Sequence, residues 1–107
     1  MSDTKAAMLV HSVYFWLKPE LTAAERVHFR EEVKRLAAVR TIEKIYVGEP
    51  AGIAERSVTD RSFDVALTIV FKDGPAHDAY QVDPIHLAFV ERNQRSWVRV
   101  QVFDSEE

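Results

Sequence analysis

The stretch Met8-Leu-Val-His-Ser-Val-Tyr-Phe-Trp-Leu17 decides the fold. Sorted by the two-residue period of a strand, it gives one row of Leu9, His11, Val13, Phe15 and Leu17 and a second of Val10, Ser12, Tyr14 and Trp16. A strand with one wet face carries a polar row. Here both rows are largely apolar, so both faces are expected to be covered. The apolar run from Ala6 to Leu17 is too short for the ~20 residues that span a bilayer. It also lacks the flanks of a leader, because only Lys5 is basic before it and Lys18-Pro19-Glu20 follows where small residues should lie.

Working outward, Lys18-Pro19 ends the strand, and Thr22-Ala23-Ala24-Glu25 has the spacing of a capping box. A helix is predicted from there to about Val39. Phe29, Val33, Leu36 and Ala37 form its apolar face, and Glu31 and Arg35 lie opposite. Arg26, Arg30 and Lys34, interleaved with Glu25, Glu31 and Glu32, read as a solvated face. Ile42 to Val47 is a second strand closed by Gly48, and Gly48 to Ser62 is one long loop. Phe63 to Lys72 alternates again, with Phe63, Val65, Leu67, Ile69 and Phe71 in one row and Asp64, Ala66, Thr68, Val70 and Lys72 in the other. Asp73-Gly74-Pro75 stops that strand and starts a short helix to Val82. Asp83-Pro84 interrupts it, and a second piece continues through Val90. Trp97 to Asp104 is the last strand, with Val98, Val100 and Val102 in one row and Trp97, Arg99, Gln101 and Phe103 in the other.

This β-α-β-β-α-β order is the ferredoxin-like α+β arrangement, a four-stranded antiparallel sheet with helices on one face. Two helices leave the second sheet face bare, and Tyr14, Trp16, Ala66 and Val70 lie on it. A homodimer through the sheet face, giving a dimeric α/β barrel, is the simplest closed solution. The 107 residues, 47% of them hydrophobic, fit a single domain over 1–107 with an ordered core of about 8–104. With no cysteine, disulfides and thiol catalysis are excluded, and a cytoplasmic location is the natural reading. A net charge of -3 speaks against a nucleic-acid surface, and nothing calls for a membrane.

Of the four histidines, His28 and His77 read as exposed helix residues, while His11 lies on the helix-facing row of the first strand, where a core histidine with a hydrogen-bonded ring is the default reading. If Asp83 is an N-cap and Pro84 the first helical residue, His86 takes the third helical position. The positive helix end there favours neutral imidazole, and the Asp83 carboxylate opposes it. A bend at Asp83-Pro84 turns Tyr80 and His86 toward one cavity between helices and sheet, with His11 below. A base and a hydroxyl around an apolar pocket suit proton transfer on a carbonyl compound. No glycine-rich phosphate loop, nucleophile elbow or zinc-helix motif is present, and no cofactor or metal ligand is assigned.

The chain resembles the stress-responsive A/B barrel domain family, the dimeric α+β barrel group that includes plant olivetolic acid cyclase. The resemblance is carried by residues 11–18, by Ile45-Tyr46-Val47-Gly48, by Asp64-Val65-Ala66-Leu67 leading to Phe71-Lys72-Asp73, by Tyr80-Gln81-Val82-Asp83-Pro84-Ile85-His86, and by Val102-Phe103-Asp104. It implies that Tyr80 and His86 line an active site with His86 as acid/base, and that His11 lies nearby. Asp83 replaces the first histidine of the family's Tyr-x-x-His-Pro-x-His segment, so any role of that histidine is lost. A plant relative binds magnesium through backbone carbonyls after its first helix, and Leu36 to Ile42 carries no side chain that tests this. Three functions follow as expectations. The first is a cofactor-free lyase or cyclase acting on a hydrophobic or aromatic carbonyl ligand. The second is a non-catalytic, stress-associated small-ligand-binding protein, and the third a cofactor-independent monooxygenase.

Overall fold

The computed structural model describes residues 8–107. Strand β1 (Leu9–Leu17) buries every second residue, as its apolar rows require. Helix α1 (Ala23–Lys34) opens on the capping box: Thr22 Oγ1 accepts from the Glu25 N–H at 3.1 Å, and Glu25 Oε1 accepts from the Thr22 N–H at 2.7 Å. A 3₁₀ turn, Arg35–Ala38, continues it. Then come β2 (Ile42–Gly48), β3 (Val65–Phe71), α2 (Gly74–Gln81), α3 (Pro84–Asn93) and β4 (Trp97–Glu106). The strands lie in the order β2-β3-β1-β4, every pair antiparallel. Val13, Phe15, Leu67, Ile69 and Phe71 form one core with Phe29, Val33, Leu36 and Phe89, which places the helices on one sheet face. Each such side chain contributes about 1.5–3 kcal/mol on burial. Among the described residues, no helix is long and apolar enough to cross a membrane.

Several local expectations need correction. β3 begins at Val65, and Phe63 leaves the buried row to lie 5.0 Å from the Tyr14 ring on the opposite face. Ala37 is exposed, because side chains in a 3₁₀ turn advance about 120° per residue instead of about 100° and rotate it off the core. The alternation of β4 slips once. Leu17 pairs with Trp97 but Trp16 with Arg99, so Val98 is an extra, bulged residue. Trp97 therefore shares a face with Val100 and Val102, packing 5.2 Å from the Phe15 ring and 6.2 Å from that of Phe89.

Glu32, expected on a solvated face, is 4% exposed. Its Oε1 accepts from Arg92 Nε at 2.9 Å and Asn93 Nδ2 at 3.0 Å, and Arg35 lies 3.4 Å from Oε2. Asn93 first, then Arg92, hold its carboxyl below the usual range against the opposing effect of burial. The charge is kept because it ties α1 to the end of α3, where an unpaired carboxylate would be costly.

Candidate active site

Each candidate side chain owes its position to a local rule. His11 stands in the middle of the buried row of β1, opposite Asp104 of β4 in the sheet register, and is 5% exposed. Its Nδ1 lies 2.5 Å from Asp104 Oδ1, so the carboxylate fixes the ring's tautomer and orientation. Tyr80 is in the last turn of α2 and 1% exposed. Burial alone pushes its phenol above the ordinary tyrosine range, which leaves a neutral O–H. Asp83 caps α3, its Oδ1 accepting from the Ile85 N–H at 2.8 Å, and Pro84 takes the first helical position. His86 thus occupies the third position, as its spacing predicts.

The two-residue break between α2 and α3 folds these groups together. The rings of Tyr80 and His86 are 4.5 Å apart, and those of His11 and Tyr80 5.8 Å. His86 Nδ1–H donates to the Gln81 carbonyl at 3.1 Å, which leaves Nε2 as the lone-pair nitrogen. Burial is the main cause that lowers the His86 pKa; His11 and His77 add to it, while the Gln81 carbonyl and Asp83 oppose it. The imidazole is thereby favoured in its neutral form near pH 7, with the Nε2 lone pair able to accept a proton.

All three residues line one cavity of about 180 Å³, walled by Leu36, Leu67, Phe89 and Trp97. Val100 and Val102 of the edge strand β4 also line it and stay 41% and 40% exposed. The volume is below the ~300 Å³ at the low end of ligand pockets. It slightly exceeds the ~150 Å³ of an engineered apolar cavity that holds benzene. A larger hollow of about 490 Å³ lies on the opposite sheet face among Tyr14, Trp16, Phe63, Arg99 and Phe103. No histidine lines it, and Arg99 covers the Trp16 ring at 4.1 Å.

Sequence reasoning missed two members of the cluster. His77, read as exposed, has a side chain only 18% exposed, with its ring 5.2 Å from that of His11 and 5.6 Å from that of Phe71. The signal was present: His77 precedes Tyr80 by one helical turn and so shares its face. Asp104 could be found only from the pairing of β1 with β4.

Solved structures with low sequence identity to the chain share this fold. A Dabb family protein with a ferredoxin-like fold from Mesorhizobium loti is 23% identical, with a TM-score of 0.76 over 92% of this chain and 95% of that one. A dimeric protein of ferredoxin-like fold from Bacteroides fragilis is 22% identical, with a TM-score of 0.74 over 94% and 96%. A hydroxynitrile lyase from Passiflora edulis is 16% identical, with a TM-score of 0.79 over 97% and 95%. No curated protein matches the chain in sequence. The family model of the stress responsive A/B barrel domain matches residues 9–107, and the chain belongs to that family.

Proposed function

We propose that the protein is a homodimeric lyase using acid–base chemistry on a small carbonyl compound or its hydroxy adduct. His86 is the acid/base, Tyr80 the hydrogen-bond donor and His11 the supporting polar group. The observation that carries this reading is the state of His86: neutral, with Nδ1–H committed to a backbone carbonyl, beside a neutral phenol and a cavity. In the cleavage direction, Nε2 takes the proton of a substrate hydroxyl and the carbon bearing that oxygen becomes a carbonyl. The adjacent C–C bond breaks, its electron pair leaves with the departing carbon, and His86 returns the proton to that fragment. Tyr80 donates to the oxygen on which charge gathers. The cavity selects a single ring or short chain and disfavours ring closure of a long chain. The hydroxynitrile lyase of the same fold belongs to this reaction class.

The dimer is proposed through the helix-free sheet face. Phe103 and Tyr46 are each 60% exposed, and a relative of the same fold is described as dimeric. The cysteine-free chain suits a reducing cytoplasm.

The test is cleavage of single-ring and short-chain hydroxy adducts by the wild type, His86→Ala and Tyr80→Phe. General acid–base catalysis is worth about 10²–10⁴-fold, and His86→Ala should lose that much kcat/KM. An unchanged rate in His86→Ala overturns the assignment. The small volume also supports a second reading, a non-catalytic ligand-binding protein. Binding whose affinity is flat across the range of histidine titration, with no turnover, selects it. Oxygen consumption with a quinol would point instead to a monooxygenase.

A further inference from the structure

Beside the cavity, side chains from three elements converge in a way that the acid–base reading does not use. We propose that His11, His77 and Asp104 form a binding site for a divalent transition-metal ion of the zinc type, with a coordination position left open. The β1–β4 register pairs His11 with Asp104, and the start of α2 lays His77 against the His11 ring. One ligand-competent atom of each residue lies within 4.8 Å of the other two. A zinc ion holds nitrogen and oxygen ligands at about 2.0–2.2 Å, which sets tetrahedral ligand atoms about 3.3 Å apart. The largest adjustment is therefore roughly 1.5 Å. Asp104 and His77 can make it by side-chain rotation, their side chains being 43% and 18% exposed, while the buried His11 ring stays fixed.

The surroundings of His77 match those of a ligand. Its Nδ1–H donates to Asp78 Oδ1 at 3.1 Å, which leaves the lone pair on Nε2. At that nitrogen the contact is with the Gln81 side-chain amide, at 3.4 Å. A carboxylate on the far nitrogen is the usual outer support of a metal-bound histidine, fixing its tautomer and raising its basicity. Two imidazoles and one carboxylate suit zinc, iron(II) or cobalt(II), whereas magnesium and calcium take oxygen ligands. His11 is shared with the lyase reading, but His86 and Tyr80 are not ligands, so ion binding at His11, His77 and Asp104 can be measured whether or not those two residues catalyse a reaction.

The test uses the full chain without an affinity tag, stripped with a chelator, then titrated with Zn²⁺ by calorimetry and with Co²⁺ by visible absorption. One ion per chain is expected, with the visible bands of a low-coordinate cobalt site. His77→Ala and Asp104→Ala should abolish those bands and weaken Zn²⁺ binding by far more than Asp78→Asn, whose outer-shell loss should be on the order of 10-fold. No binding by the wild type, or binding that both ligand variants leave unchanged, overturns the proposal. If a variant fails to fold, wild-type NMR decides: Zn²⁺ must shift the ring resonances of His11 and His77 and leave His28 alone, and the reverse pattern overturns the site. Turnover by the chelated protein is scored separately, so failure of the lyase reading and failure of the metal site are distinguishable.

Discussion

Replacing Leu36 by alanine tests whether the cavity sets ligand size. Leu36 is 1% exposed and forms part of the wall of the 180 Å³ space. Buried Leu→Ala changes cost about 2.7–5.0 kcal/mol, rising by about 24 cal/mol for each Å³ that the neighbours fail to refill. That spread corresponds to up to roughly 100 Å³ of new space. A wall that borders an existing cavity has no side chain directly across it to collapse inward. The loss should therefore fall in the upper part of the range, about 4–5 kcal/mol, and the cavity should approach roughly 280 Å³. Stability is read from urea unfolding at low temperature, since a domain of this size has only about 5–15 kcal/mol in total. Calorimetry then compares one single-ring and one fused two-ring carbonyl compound. The wild type should accept only the first and the variant both. A cost below about 2.7 kcal/mol together with no gain for the two-ring compound would refute the cavity argument.

Further expectations concern charge and assembly. The folded pKa of Glu32 is depressed, so its stabilisation is present above the unfolded value near 4.5 and is lost as the pH falls through the folded value. Glu32→Gln should cost about 1.5–3 kcal/mol at pH 7 and flatten that acid limb in urea titrations. The folded pKa of His86 lies below 6.5, so the unfolded chain takes up the proton first, and stability should decline as the pH drops below 6.5. NMR titration of the ring should show Asp83→Asn moving the inflection lower still, because Asp83 raises it; an upward move contradicts the account. Phe103→Asp places a charge on the helix-free sheet face and should convert a dimer to a monomer in light scattering, while an unchanged mass rejects that face as the interface.

Much of the architecture was legible because it is encoded within a few residues. The twin apolar rows of β1, the Thr22–Glu25 box and the Asp83-Pro84 start of α3 act locally, through alternation, side-chain capping and the fixed backbone angle of proline. These features determined the element order, the split second helix and the position of His86. The turns and bulges escaped because they are decided by what an element packs against. Val98 became an extra residue only through the pairing of β4 with β1, and that single slip carried Trp97 to the cavity wall. Glu32 reads as solvated in α1 and is buried because Arg92 and Asn93 arrive from α3. The candidate site divides in the same way. Tyr80, His86 and His11 were singled out as candidates by type, by spacing and by the family resemblance of residues 80–86, whereas Asp104 and His77 join them only in three dimensions. The volume of the cavity was likewise set by side chains from distant parts of the chain. Periodicity fixes which way a side chain points along its own element. Only strand register and helix docking decide which other side chains it meets.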